Sequence, residues 1–123
     1  MTNVSFVIVD DAVFMRTLIR KIIEQIDGYT VLAEASNGKE AIEAARVYKP
    51  DIMTLDLTMP EMDGIKALPA ILEASPKTRV IVVSAMGQQS MVIDAIRHGA
   101  KDFIIKPFER YKVYQAINNV LAF

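Results

Sequence analysis

Apolar stretches rich in β-branched residues alternate along this chain with segments whose apolar residues recur at helical spacing. The pattern predicts strands at Val4–Val9, Val31–Ala35, Ile52–Leu57, Val80–Val83 and Phe103–Ile105. Each strand is followed by a helical pattern, so we expect one doubly wound α/β domain with a parallel sheet covered by helices on both faces. Residues 6–9 and 80–83 include no polar side chain, as expected for strands buried on both sides.

The helices are predicted from apolar residues that recur three or four positions apart. The apolar stripes are Met15, Ile19, Ile22 and Ile26 in the first helix, Ala41, Ile42, Ala45 and Tyr48 in the second, Val92, Ala95 and Ile96 in the fourth, and Val113, Ile117, Val120 and Leu121 in the fifth. Asn37 and Glu40 have the spacing of a capping box at the start of the second helix. The third helix should run from about Asp63 to just before Pro76, and Pro69 should bend it because proline lacks an N–H donor.

The composition excludes several classes of function. The 123 residues fit one domain. The absence of cysteine and the single histidine, His98, exclude disulfides, thiolate zinc sites and multi-histidine metal sites. With 14 basic and 15 acidic residues the chain lacks the basic stripe of a nucleic-acid-binding protein. Asp10 and Asp11 interrupt the N-terminus where the apolar core of a signal peptide would lie. We therefore expect a cytoplasmic monomer that binds neither nucleic acid nor membrane.

Polar residues follow the predicted strands at the points where the strands end. Asp10 and Asp11 follow the first strand, Asp56 lies at the end of the third, Ser84 follows the fourth and Lys106 the fifth. The carboxyl ends of parallel strands meet at one edge of a sheet, which is where such folds bind ligands. Three carboxylates placed together repel, so a cation or a lysine must stabilise them. Oxygen ligands without cysteine or a histidine cluster favour Mg²⁺.

A nucleotide site, one class of phosphatase and a flavin carrier are disfavoured by the sequence. The chain contains neither GxxxxGK[ST] nor GxGxxG, so a nucleotide site is not expected. A carboxylate can instead hold phosphate covalently as an aspartyl phosphate. A phosphatase of the haloacid-dehalogenase type needs an aspartate two residues after its nucleophile, and Thr58 stands two residues after Asp56. A flavin carrier would need a hydroxyl-rich or glycine-rich loop after the first strand.

Five motifs, in order along the chain, resemble the signature of response-regulator receiver domains. They are Asp10-Asp11, Asp56, Met59-Pro60-Glu61-Met62-Asp63-Gly64, Ser84-Ala85 and Lys106-Pro107-Phe108. Residues 84–89 and 101–103 are similar to stand-alone chemotaxis receivers of Gram-positive-type bacteria. The resemblance implies a flavodoxin-like (βα)5 fold with strand order 2-1-3-4-5. It also implies a receiver domain over residues 1–123 without an output domain.

The resemblance implies a role for each residue at the strand ends. Asp56 accepts a phosphoryl group from a CheA-like histidine kinase, and the chain has no enzyme activity beyond its own Mg²⁺-dependent phosphorylation and dephosphorylation. The implied ligands of Mg²⁺ are Asp10, Asp11, Asp56 and the backbone carbonyl of Thr58. Lys106 and the Ser84 hydroxyl contact the phosphoryl oxygens and stabilise their charge. A cis bond between Lys106 and Pro107 is also implied.

The phosphorylated form of such a receiver is expected to bind the flagellar motor switch. Ser84 moves toward the phosphate, and Phe103 fills the space that it leaves. Phe103 and Ile105 share a strand face, and with Gly87 and Phe108 they should form an apolar docking patch. The alternative is a single-domain phosphorelay intermediate that passes the phosphoryl group to a histidine phosphotransferase and uses a surface near the site.

The lifetime of the phosphorylated state should depend on Thr58 and Met86. These residues lie two positions after Asp56 and Ser84, where the family's side chains flank the path of the attacking water. Neither carries a charge or an amide that would position water, and Met86 should exclude it. Because positioning of the nucleophile is a large part of phosphoryl-transfer catalysis, we expect slow self-dephosphorylation and a partner phosphatase that places the water.

Overall fold

The computed structural model describes residues 3–59 and 62–122, so Pro60 and Glu61 of the signature stretch lie outside the described residues. Strands and helices alternate in the order β1 (Val4–Val9), α1 (Val13–Glu24), β2 (Tyr29–Ala35), α2 (Gly38–Tyr48), β3 (Ile52–Asp56), α3 (Gly64–Ala74), β4 (Arg79–Ala85), α4 (Gln89–Arg97), β5 (Asp102–Lys106) and α5 (Arg110–Leu121). All pairings are parallel and the strand order is 2-1-3-4-5, as predicted. No helix within the described ranges has the length and apolarity to cross a membrane.

Two apolar cores lie on opposite faces of the sheet because successive strand residues point to opposite sides. Val7 and Val82 belong to the core that α2, α3 and α4 cover. Phe6, Ile8 and Ile81 belong to the core that α1 and α5 cover. Burial of each such side chain stabilises the fold by roughly 1.5–3 kcal/mol. The central strands are thus buried on both faces, which explains their uninterrupted apolar sequence.

The strands extend beyond the apolar stretches that predicted them. β2 begins two residues early, at Tyr29, while β4 continues to Ala85 and β5 to Lys106. Pairing satisfies backbone N–H and C=O groups whatever the side chain, so polar residues at strand ends still join the ladder. β3 differs in the other direction, because it ends at Asp56, one residue earlier than predicted. Pairing within the sheet therefore continues to Asp56, Ala85 and Lys106, at or next to the predicted site.

The predicted helical stripes are largely buried, with three exceptions. Tyr48 and Ile96 are exposed, and Ile26 lies in the turn after α1. Tyr48 and Ile96 belong to the last turn of α2 and α4, so in these helices the apolar stripe extends beyond the buried face. Leu121, the last residue of α5, is only partly buried, whereas Val120 beside it is fully buried.

Side-chain caps begin α2 and α3 where the sequence predicts them. Asn37 accepts a hydrogen bond from the Glu40 N–H at 2.9 Å. The Glu40 carboxylate reaches back to the N–H and hydroxyl of Ser36, one residue earlier than in the usual capping box. Asp63 is the N-cap of α3, which ends before Pro76 as predicted. Pro69 lies inside that helix, and the bend expected there stays a prediction.

Hydrogen bonds close the amino end of the sheet, opposite the predicted site. The Ser5 N–H and hydroxyl donate to Asp51 Oδ2 at 2.8 and 3.1 Å, and the Asp51 N–H donates to Ser5 Oγ at 3.0 Å. The buried Thr78 hydroxyl donates to the Pro50 carbonyl at 2.6 Å and lies 2.6 Å from the Ser75 hydroxyl. The starts of β1, β3 and β4 are therefore held by satisfied polar groups.

Candidate functional site

The carboxyl ends of four strands bring the predicted site residues to one edge of the sheet. Asp10 directly follows β1, Asp56 ends β3, Ser84 is the second-last residue of β4 and Lys106 ends β5. One carboxylate oxygen each from Asp10, Asp11 and Asp56 lies within 4.8 Å of the others. Asp10 and Asp56 are buried, whereas Asp11 is exposed at the rim. The result is an acidic pocket, defined by these three carboxylates, with one side open to water.

Lys106 compensates part of the negative charge in the acidic pocket. Its ammonium donates to Asp10 Oδ2 at 3.0 Å and lies 3.7 Å from Asp56 Oδ2. At about 4 Å, a pair of opposite charges is worth roughly 1 kcal/mol in water and roughly 4 kcal/mol near a protein surface. The Lys106–Pro107 peptide bond is cis, which confirms the prediction. One ammonium beside three carboxylates does not balance the negative charge that the acidic pocket can carry.

The pKa of the Asp56 carboxyl lies above its ordinary value. Burial, followed by the charge of Asp10, raises the pKa of Asp56 from 3.8 to about 6. Lys106 and the hydrogen bond from the Thr58 N–H, 3.2 Å from Asp56 Oδ1, act in the opposite direction but do not cancel the rise. Asp56 is therefore ionised at neutral pH, but at a free-energy cost that a bound cation would relieve.

The acidic pocket fits Mg²⁺ on the chemistry of its donors. Mg²⁺ takes oxygen ligands, usually from one or two carboxylates, and keeps several water molecules. Three carboxylate oxygens within 4.8 Å supply the protein ligands, and the exposed position of Asp11 leaves room for water. The Thr58 backbone carbonyl follows Asp56 on the same loop, and its role as a further ligand stays a prediction.

The Ser84 side chain is the polar group at this edge that the fold leaves unsatisfied. It is 1% exposed, and its hydroxyl has no hydrogen-bond partner among the described residues. The Thr54 hydroxyl in β3 shares this property. An unsatisfied buried polar group costs about 1–3 kcal/mol. Among the described residues the Ser84 hydroxyl is thus a polar group without a partner, one residue from the carboxyl end of β4.

Two polar side chains beside the site were missed from the sequence. Arg16 in α1 donates to the Asp10 carbonyl and to Glu34 in β2, which Arg20 also contacts at 2.7 Å. Burial opposes ionisation of Glu34, but the hydrogen bonds from both arginines outweigh it and lower the pKa. The contact with Glu34 could have been predicted, because two arginines lie four residues apart on α1 and a single acidic residue lies in the adjacent edge strand.

Gln88 is the second residue whose contacts were not predicted, because no pattern in the sequence indicates them. Its Oε1 accepts from the Ala85 N–H at 2.8 Å, and its Nε2 donates to Thr58 Oγ1 at 2.8 Å. The side chain thus joins the loop after β4 to the loop after β3. Both loops flank the Asp56 end of the sheet.

The predicted docking patch forms two adjoining grooves that share two residues of β5. Phe103 is 44% and Ile105 is 40% exposed. With Gly87 they line a cavity of about 530 Å³ against the start of α4. Phe108 lies on the other side, in a cavity of about 460 Å³ lined by β5 and α5. Met86 is 75% exposed beside the first groove, and its predicted exclusion of water stays a prediction.

Comparison with known proteins identifies the class to which this fold and site belong. Residues 6–118 match the response regulator receiver domain family. That span includes the whole acidic pocket, Ser84 and Lys106. The chain therefore belongs to the response regulator receiver family, as its motifs indicated.

Within this family the chain is a CheY-like chemotaxis response regulator of two-component signalling. It is 55% identical to chemotaxis protein CheY of Thermotoga maritima over 113 residues, which are 92% of this chain and 93% of that protein. Identity to chemotaxis protein CheY of Bacillus subtilis is also 55%, over 114 residues that cover 93% and 94%. A similar solved structure is a CheX–CheY complex with BeF3 and Mg²⁺ from Borrelia burgdorferi, with a TM-score of 0.88, 39% identity, and coverage of 98% of this chain and 90% of that one.

Proposed function

We propose that this chain accepts a phosphoryl group on Asp56 from a histidine kinase with Mg²⁺, and that the phosphorylated form binds the flagellar motor switch. The observation that carries the proposal is the acidic pocket itself. Three carboxylates lie within 4.8 Å, and Lys106 contacts two of them. Crowded carboxylates lower the stability of a fold, and carboxylates with shifted pKa values are typical of functional sites. The proposal places this activity in the cytoplasm.

Asp56 is the nucleophile of the proposed transfer. An oxygen of its carboxylate attacks phosphorus, while the bond from phosphorus to the donor's imidazole nitrogen breaks and its electron pair stays on the imidazole, which takes up a proton from solvent. A pKa of about 6 leaves the carboxylate mostly in its attacking, ionised form at neutral pH. The hydrogen bond from the Thr58 N–H fixes one carboxylate oxygen and so orients the group.

The remaining residues of the site stabilise the charge of the transferred group. Asp10, Asp11, Asp56 and the Thr58 carbonyl would hold Mg²⁺, which supplies charge neutralisation at the phosphoryl oxygens when bound. Lys106 reaches Asp56 Oδ2 at 3.7 Å and is flexible enough to contact a phosphoryl oxygen there instead. The unpartnered Ser84 hydroxyl provides a neutral donor. Phosphoryl transfer depends mostly on such positioning and charge stabilisation.

Phosphorylation can be tested with acetyl phosphate, Mg²⁺ and intact-protein mass spectrometry. The wild-type chain should gain one phosphoryl group, and Asp56→Asn should gain none. Asp63→Asn is the matched control, since it removes a nearby carboxylate while asparagine keeps the helix cap. EDTA or Asp11→Asn should prevent the reaction by removing Mg²⁺ binding. Labelling of Asp56→Asn at the wild-type rate would overturn the proposed function.

The partner is tested separately on the groove that Phe103 and Ile105 line. Phosphorylated wild type should bind a purified flagellar motor-switch protein more tightly than the unphosphorylated chain. Phe103→Ala should weaken that binding while its phosphorylation rate stays unchanged. Val47→Ala on α2 controls for loss of an exposed apolar side chain elsewhere. Transfer of the label to a histidine phosphotransferase, without binding to the switch, would instead establish the phosphorelay alternative.

The proposal includes a partner phosphatase. Thr58 and Met86 carry neither a charge nor an amide that would orient a hydrolytic water. The similar Borrelia burgdorferi structure pairs CheY with CheX in the presence of BeF3 and Mg²⁺. We infer that a CheY-type phosphatase supplies the polar side chain that this chain lacks.

A further inference from the structure

Gln88 connects the two loops that flank Asp56. The loop after β3 carries Thr58, whose N–H holds Asp56 and whose hydroxyl accepts from Gln88 Nε2. The last residue of β4 is Ala85, whose N–H donates to Oε1 of Gln88 in the loop that follows. Both bonds measure 2.8 Å, and an amide can make both only in this orientation, because the N–H of Ala85 requires an acceptor. We define the Ala85–Gln88–Thr58 connection as the Gln88 clamp.

Capping of α4 does not explain the position of the Gln88 side chain. Gln88 occupies the N-cap position, but its side chain makes no hydrogen bond to the helix. Serine, threonine, aspartate and asparagine are the residues that favour this position. The preceding Gly87 has a φ of +87°, which an ordinary side chain rarely adopts, and the turn brings Gln88 back to Ala85. The Gln88 side chain therefore contacts Ala85 and Thr58 and does not cap the helix.

The clamp engages the residues next to Asp56 and Ser84. The Thr58 N–H donates to Asp56, and Ala85 immediately follows Ser84 and donates its N–H to the Gln88 side chain. A phosphoryl group on Asp56 would add close to two negative charges and three strong acceptor oxygens. Hydrogen bonds to such charged acceptors are roughly twice as strong as those to a neutral amide oxygen. A phosphoryl group within reach of the Ala85 N–H would therefore compete with Gln88 for it.

We propose that Gln88 is a positioning residue that restrains phosphorylation: its clamp holds the loop after β4 against the loop after β3 until a phosphoryl group takes the Ala85 N–H. The inference rests on the proposed phosphorylation of Asp56. The clamp must break for the phosphorylated site to form, so its hydrogen bonds are a cost of the reaction. Neutral hydrogen bonds of this kind correspond to roughly a two- to tenfold effect each.

The kinetic test uses acetyl phosphate and Mg²⁺, with phosphorylated protein measured against time. Gln88→Met keeps the size of the side chain and removes both bonds, so phosphorylation should become roughly two- to tenfold faster. Gln89→Met, which changes the exposed neighbouring glutamine, should match the wild type. Thr58→Val should also be faster, and the double variant with Gln88→Met should gain less than the product of the two. Unchanged or slower phosphorylation of Gln88→Met would overturn the inference.

A second measurement separates the clamp from the proposed function. In unphosphorylated protein the Ala85 amide should exchange with solvent slowly, although the residue is exposed. Gln88→Met should exchange faster at Ala85 by roughly two- to tenfold, with protection in β1 unchanged. Equal exchange in both proteins would overturn the clamp even where phosphorylation succeeds. Failure of wild type to be phosphorylated, with the exchange difference present, would overturn the proposed function and the clamp's role in it, leaving the clamp as a structural contact.

Discussion

Replacement of Asp56 by asparagine should stabilise the metal-free protein at neutral pH. The ionised carboxylate is buried and lies beside Asp10, which together raise its pKa from 3.8 to about 6. The compensating contributions of Lys106 and the Thr58 N–H are already included in that value. Asparagine keeps the shape and removes the charge, so it should recover the free energy that ionisation costs in the fold.

The size and pH range of the effect follow from the two pKa values. The difference of about two units corresponds to about 3 kcal/mol, at about 1.4 kcal/mol per unit. Between about pH 4 and pH 6 the folded state binds more protons at Asp56 than the unfolded state does. The free energy of unfolding of the wild type therefore falls, relative to Asp56→Asn, as the pH rises through this window. The full difference is present above about pH 7 and is nearly absent at about pH 4.

Urea unfolding in EDTA at about pH 7.5 and about pH 4 measures this difference directly. Asp27→Asn, which removes an exposed carboxylate from the turn after α1, is the control and should change little. Addition of Mg²⁺ should narrow the gap at about pH 7.5, because only the wild type keeps all three carboxylates. If Asp56→Asn is no more stable than the wild type at about pH 7.5, or if its advantage persists at about pH 4, the electrostatic reasoning is refuted.

Three further outcomes follow from local geometry. Gly64→Ala should destabilise the fold by about 1–3 kcal/mol, the usual cost of overpacking, because the added Cβ would lie 2.3 Å from the Asp56 carbonyl oxygen. Urea unfolding measures this loss, and the same crowding should slow phosphorylation. Met86→Glu and Thr58→Asn should shorten the lifetime of the phosphorylated state, measured as decay after the donor is removed, and decay no faster than in the wild type would count against a need for a phosphatase. Ser5→Ala should cost about 0.5–1.5 kcal/mol in urea unfolding, because the exposed Asp51 carboxylate and the Asp51 N–H lose their hydroxyl partner, and phosphorylation should be unaffected.

The fold was predictable because its determinants are local in the sequence. Stretches without polar residues identify β1 and β4 as central strands, and the polar residues at the ends of β1, β3 and β4 lie at one edge because parallel strands end together. The strand order did not follow from the apolar pattern and came from the resemblance to receiver domains. The exposure of Tyr48 and Ile96 was not predicted, because periodicity shows which residues share a helix face but not which of them a neighbouring element covers.

The polar contacts beside the acidic pocket were not predictable in the same way. Thr58 and Gln88 are 30 residues apart, and their contact depends on the path of two turns that no pattern specifies. The contact of Arg16 with the Asp10 carbonyl depends equally on how α1 packs against β1 and β2. The acids of the pocket could be predicted because strands place them, whereas these contacts depend on loop and helix positions.

The hydrogen bonds between Ser5 and Asp51 at the amino end of the sheet bear on where the proposed phosphorylation can change the structure. Ser5 and Asp10 are five residues apart along β1, so these bonds lie about 17 Å from the acidic pocket. Because that end is held by satisfied polar groups, we expect a phosphoryl group on Asp56 to displace the loops at the carboxyl edge and the exposed face of β5, and to leave the amino end of the sheet in place.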